Sequence, residues 1–216
     1  MKKTKNALKK TESRGEEIAN FVSHTAGAGL AIIGFIMLII RASWYNNISA
    51  IISYIIFSLG LMVLYTMSSI YHGLKPSKAK NVFEILDHSS IYFLIAASYT
   101  PFLVLGLKSN MGITLLVIQW VICAFGIIFK AFFTGKFKGI STIIYLLMGW
   151  MIVISWNELA TNISPISLGF LVTGGILYSL GTIFYMWKLC KFNHMIWHIF
   201  VVLGSLSHYI AIWFLI

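Results

Sequence analysis

The chain has 216 residues, 59% of them hydrophobic and 10% charged, whereas an ordinary water-soluble domain carries about 25% charged residues. That balance excludes a soluble globular fold. The formal net charge of +10 does not mark a DNA-binding face, because six of the sixteen Lys and Arg residues lie in the first fourteen positions and most others fall between apolar runs, where they set membrane topology and predict no nucleic-acid partner.

Residues 1–15 read as a basic tail and residues 16–216 as one transmembrane domain, since no Pro-, Ser- or Gly-rich linker divides the chain. The first apolar run, 18 to 40, continues well past His24 and is too long for the h-region of a cleaved signal peptide, so it is predicted to stay as a first span. Its entrance carries Glu16, Asn20 and His24 at intervals of four, a polar stripe on one helix face. The stripe either completes a polar pocket, or Glu16 and Glu17 simply favour the positive end of the helix dipole.

The second run, 49 to 71, ends at His72, with Ser68 one helical turn earlier. The third, 86 to 107, opens with Asp87 and His88 and contains Pro101, which is expected to kink it. Runs at 111 to 132, 139 to 156 and 165 to 187 follow, and the last, 195 to 216, is opened by His194 and His198. Each is near the ~20 residues a helix needs to cross a ~30 Å hydrocarbon core. None alternates in polarity as a ~10-residue barrel strand does. The fold class is therefore all-α, a polytopic membrane protein built as a seven-transmembrane helix bundle. Cys123 and Cys190 fall at different predicted depths, so no disulfide framework is implied.

Orientation follows from the loops, because Lys and Arg are retained on the cytoplasmic side. The tail (Lys2, Lys3, Lys5, Lys9, Lys10, Arg14) and alternate loops (Lys75, Lys78, Lys80; Lys130, Lys136, Lys138; Lys188, Lys191) hold fourteen basic residues, and the other side holds Arg41 and Lys108. An N-terminus in the cytoplasm and a C-terminus outside satisfy that alternation with seven spans.

Ionisable side chains inside transmembrane runs are costly and mark functional sites. The opposed helix directions bring His72, Asp87, His88, His194 and His198 to one predicted depth. His194 and His198 are four apart, hence on one helix face about one turn, ~5–6 Å, from each other, a spacing that helical zinc sites use. With His72 as the third ligand, three imidazoles leave a fourth tetrahedral position for water. Asp87 either binds the metal or, the favoured role, holds that water as a general base. Ser68 is placed to orient a ligand or water, with helix packing as its alternative role. His88, one residue from Asp87, points about 100° away from it. His208 lies ten residues beyond His198, ~15 Å further along the helix, and is expected to be a hydrogen-bonding bundle residue rather than a ligand.

These residues resemble the hemolysin III family, the bacterial branch related to the progestin and adiponectin receptors. The carriers are residues 16–27 (EEIANFVSHTAG), 68–72 (SSIYH), 87–101 (DHSSIYFLIAASYTP) and 194–208 (HMIWHIFVVLGSLSH). The resemblance implies a Zn2+ ion held by His72, His194 and His198 with Asp87 on its water, in the plasma membrane of a bacterial cell, with membrane lipids as partners. It also implies kinship with lipid amide hydrolases, so the leading expectation is a zinc-dependent, hydrolase-like protein acting on a lipid amide or ester or in lipid homeostasis. A cytolytic pore-former, and a seven-helix sensor with a structural zinc, are the other readings.

Overall fold

The computed structural model describes residues 12–216, so Lys2, Lys3, Lys5, Lys9 and Lys10 of the basic tail lie outside the described residues. The helices are α1 (Arg14–Trp44), α2 (Ile48–Gly73), α3 (Lys78–Pro101), α4 (Asn110–Phe133), α5 (Lys138–Trp150), α6 (Trp156–Asn162), α7 (Pro165–Met186) and α8 (Asn193–Trp213). A π-helical turn, Phe102–Gly106, extends α3, and a 3-10 turn, Met151–Ser155, joins α5 to α6. Taken with these turns, the described residues contain seven helical segments long and apolar enough to cross a membrane.

Helix starts obey local chemistry. Ser13, Asn47, Ser77, Ser109 and Ser164 cap α1 to α4 and α7 by accepting a first-turn amide, which relieves one of the orphan donors every helix start presents. Ser13 and Glu16 form a reciprocal capping box. By contrast α8 starts from Phe192 in the left-handed region, φ 59°, with no side-chain cap. A left-handed Phe is strained by about 1–2 kcal/mol. Asn193 and Glu16 hold it there: Asn193 Oδ1 accepts from the Leu189 amide, its Nδ2 donates to the Phe184 carbonyl, and Glu16 Oε1 accepts from the Phe192 amide. The register of α8, and with it the height of His194 and His198, is thereby tied to α1.

The bundle closes as a ring. α1 packs on α2, α2 on α3 and α3 on α4; α5 packs on α3 and α7; α7 packs on α8, which returns to α1. α3 sits in the middle and is the most buried span. It approaches α2 closely enough that a Cβ at Gly60 would stand 2.6 Å from the Ala97 Cβ, so only glycine lets the two helices meet here. Outward-facing side chains such as Leu30, Ile33, Ile113, Phe125 and Leu147 are more than half exposed. An apolar girdle of this extent is unsustainable in water and matches a hydrocarbon surround.

The fifth span departs from the continuous run 139 to 156 read from sequence. Tyr99 Oη donates to the Gly149 carbonyl and accepts from the Ile152 amide, and Gln119 Nε2 donates to the Met148 carbonyl. Side chains from α3 and α4 thus occupy backbone groups that the i to i−4 ladder needs, and the helix breaks into a 3-10 turn at that level. The third span begins at Lys78, eight residues before its apolar run, because Ser77 caps it there.

Candidate metal centre

The chain termini of the helices bring His72 (last turn of α2), His194 and His198 (first two turns of α8) together at one end of the bundle. Their ring centroids are 5.1, 5.2 and 4.7 Å apart in the three pairings, and one nitrogen from each ring lies within 4.8 Å of the others. His72 and His198 are buried and His194 is half-buried. The Nε2 atom of each ring is buried with no hydrogen-bond partner.

The other nitrogens explain why Nε2 is free. Glu17 Oε2 lies 2.7 Å from His72 Nδ1, and a carboxylate can only accept, so Nδ1 carries the hydrogen. Ser23 Oγ lies 3.0 Å from His198 Nδ1 but donates its own proton to the Asn20 carbonyl at 2.8 Å. That same carbonyl is 3.3 Å from His198 Nδ1. Both groups facing His198 Nδ1 are therefore acceptors, and its hydrogen is on Nδ1 as well. These partners leave the Nε2 atoms of His72 and His198 unprotonated and unpartnered, the tautomer a metal ligand needs. Three converging, unpaired buried imidazole nitrogens cost the fold free energy unless something fills the gap. A divalent ion with a preference for nitrogen fits them.

Asp87, on α3, is buried and faces Ser68, His72 and His88 at electrostatic range. It is not among the ligand atoms that lie within 4.8 Å of one another. Ser68 is fully buried on α2 with an unpartnered Oγ. His88 spends Nδ1 on the Glu84 carbonyl at 2.7 Å, and its own carbonyl accepts from Tyr145 Oη at 3.2 Å.

The haemolysin-III related family model matches residues 13–209. The chain belongs to the haemolysin-III related family. It is similar to the hemolysin-3 homolog of Bacillus subtilis (strain 168), 45% identical over 199 residues covering 92% of this chain and 93% of that one. It is also similar to hemolysin-3 of Bacillus cereus, 41% identical over 211 residues covering 98% and 96%. The human monocyte to macrophage differentiation factor is 32% identical over 167 residues, 73% of this chain and 68% of that protein.

In this haemolysin-III related bundle the entrance of α1 divides its labour in a way the four-residue stripe does not convey. Glu16 faces Ser13, Phe192 and Lys188 and serves the α1–α8 joint. Asn20 stands beside the histidines: its Nδ2 is 3.5 Å from His72 Nδ1 and 2.5 Å from Glu12 Oε2. His24 lies flat on His198, centroids 3.5 Å apart at 8°, buried with neither ring nitrogen partnered. The residues missed by sequence reasoning are Glu17 and Ser23, which hold the ligand tautomers. Glu17 also takes Lys80 Nζ at 2.8 Å, so α1, α2 and α3 meet through it. The available signal was the i, i+3 spacing of Glu17, Asn20 and Ser23, which puts the three on one helix face.

Proposed function

We propose that the chain is a zinc-dependent, hydrolase-like protein of a bacterial plasma membrane, forming one seven-helix domain behind its basic tail, that acts on an amide or ester bond of a membrane lipid. The N-terminus and the histidine cluster lie on the cytoplasmic side and the C-terminus outside, in keeping with the segregation of Lys and Arg. The observation that carries the reading is the trio of buried, unpartnered Nε2 atoms of His72, His194 and His198.

These three residues would hold the ion, and zinc suits a nitrogen-rich set with an open position. When bound, such an ion polarises a carbonyl oxygen and brings the pKa of water toward ~7. Glu17 and Ser23 keep the ligand rings in the tautomer and orientation that donation requires. Asp87 accepts a proton from the attacking water and returns it to the leaving amine or alcohol, and its place beside the cluster rather than in it suits that role. Ser68, one helical turn before His72, orients a ligand or water in the site. His24, stacked on His198, keeps bulk water from that face of the ring.

Purified protein should carry close to one zinc per chain and release fatty acid from at least one member of a panel of ceramides, N-acyl amines and glycerolipids. Asp87→Asn should retain zinc and the fold and lose turnover by about 100-fold or more, within the range general-base groups supply. Zinc-loaded protein that hydrolyses nothing on the panel would refute the enzymatic reading. The relative called hemolysin-3 supports a second reading, direct cytolysis. Dye-filled liposomes containing the pure protein should stay sealed if the first reading holds, and leakage that scales with protein content would favour the second.

A further inference from the structure

His72 gives the histidine trio only one of its two nitrogens. The other, Nδ1, faces the start of α1. Glu17 Oε2 is 2.7 Å from it and Asn20 Nδ2 is 3.5 Å from it, and the same Nδ2 lies 2.5 Å from Glu12 Oε2. One ligand atom from each of Glu12, Glu17 and His72 lies within 4.8 Å of the others. This is a second group with ligand spacing, joined to the trio through a single ring. Its two carboxylates are half-buried and open to water, whereas the three Nε2 atoms of the trio are buried.

The charges in this group do not balance. Lys80 Nζ takes Glu17 Oε1 at 2.8 Å, and Lys138 acts on Glu12 only at longer electrostatic range. Glu12 Oε2 and Glu17 Oε2 stay on the His72 side. Asn20 supplies an independent sign. It is fully buried, yet its Oδ1 has no partner, and a buried amide oxygen left unpaired calls for one. Its Nδ2 serves Glu12 and cannot donate to His72 Nδ1, which carries a hydrogen of its own toward Glu17. A half-turn of the amide puts Oδ1 where Nδ2 stands. Two carboxylate oxygens, an amide oxygen and a ring nitrogen are then together, and a cation is what reconciles them. Two carboxylates match the charge of a divalent ion, and zinc accepts such a mixed nitrogen and oxygen set.

A neutral imidazole has one ring nitrogen free to accept. With its hydrogen on Nδ1, His72 serves the trio through Nε2. With the hydrogen on Nε2, it serves the glutamates through Nδ1, and the trio is short of a ligand. The two sites therefore exclude each other. We propose that Glu12, Glu17, Asn20 and His72 Nδ1 form a waiting site for the divalent ion, filled from water before the ion passes to His72 Nε2, His194 and His198. The hand-over leaves the ring neutral: Nε2 releases its hydrogen to water, and Nδ1, vacated by the ion, takes one from water and directs it at Glu17. Lys80 and Lys138 weaken this site, as a station that the ion must leave requires. The inference rests on the trio being a metal centre, and not on what that centre catalyses.

The test uses the full chain in detergent, stripped of metal by chelation, with Zn2+ as the probe. His194→Ala/His198→Ala removes the trio and keeps the waiting site, so it should still bind one Zn2+ weakly in equilibrium dialysis. Adding Glu12→Gln should weaken that residual binding about tenfold, through the lost ligand charge, and adding His72→Phe should remove it. With the trio intact, Glu12→Gln should change zinc affinity little but slow both uptake and release about tenfold in stopped-flow, because a station on the path serves both directions, whereas a charge that merely steers ions raises association alone. Glu12→Asp should restore most of both rates. Zinc held by the wild type but not by the double variant, or by the double variant regardless of Glu12, would overturn the waiting site alone; zinc held by neither would overturn the trio as well. Two ions held at once by the wild type, the second sensitive to Glu12→Gln, would overturn the exclusion. If the double variant does not fold, the kinetics of Glu12→Gln decide, and slowed uptake with unchanged release would refute the proposal.

Discussion

The hydrogen bond between His72 Nδ1 and Glu17 Oε2 is 2.7 Å long, and Glu17 is braced from its other oxygen by Lys80 Nζ at 2.8 Å. Replacing Glu17 with Ala removes the acceptor that keeps the His72 proton on Nδ1, so Nε2 can be protonated and turn away from a shared ion. A carboxylate in this position behind a metal-bound histidine is worth about 10- to 100-fold in metal affinity, or about 1.4–2.8 kcal/mol. Glu17→Ala is expected at the upper end of that range, because the loss also removes the carboxylate from Lys80 and leaves it the Leu74 carbonyl, at 3.1 Å, and the face of the Tyr71 ring, beside a half-emptied site. Glu17→Gln keeps an acceptor for Nδ1 and loses only the charge, so it should weaken binding by less than about tenfold. Zinc affinity is read by competition against a chromogenic chelator, with His198→Ala as the variant that loses the ligand itself. A Glu17→Ala protein that binds zinc within a factor of two of wild type, alongside a His198→Ala protein that does not bind, would refute the assignment of Glu17 as the group positioning His72.

Other outcomes follow from the packing. Gly60→Ala forces apart α2 and α3, where the new Cβ would stand 2.6 Å from that of Ala97; it should cost about 1–3 kcal/mol, seen as a lower thermal midpoint in detergent, and Ala97→Gly should recover most of it. Tyr99→Phe removes a hydroxyl that serves both Gly149 and Ile152, so it should cost about 1–3 kcal/mol and speed amide exchange at Ile152; unchanged exchange there would contradict the account of the broken fifth span. Burial pushes the Glu12 carboxyl up from its ordinary value of 4.5, against the opposing pull of His72. Stability linked to this group is therefore present below the unfolded value and lost as pH rises through the folded one. Glu12→Gln, which keeps an acceptor for Asn20 and cannot ionise, should unfold slightly above wild type at pH 7 and together with it near pH 4, and a gap that widens on acidification would reverse the sign of the argument.

The apolar runs determined by themselves that the chain forms seven membrane-length helices, because a span needs a length of uncharged side chain and nothing finer. The spacing of His194 and His198 was also enough to put them on one helix face, since α-helical geometry is local. Which neighbours the rings meet was not local. Glu17 and Ser23 reach His72 and His198 only after α1 is laid against α2 and α8, and their value lies in the nitrogen they leave unprotonated, a property of pairs across helices. The same holds for Tyr99, which breaks the fifth span from a helix away. A linear pattern records the cost of each buried polar group. Only the assembled bundle decides which of those groups are satisfied, and the ones left over are where a ligand can act.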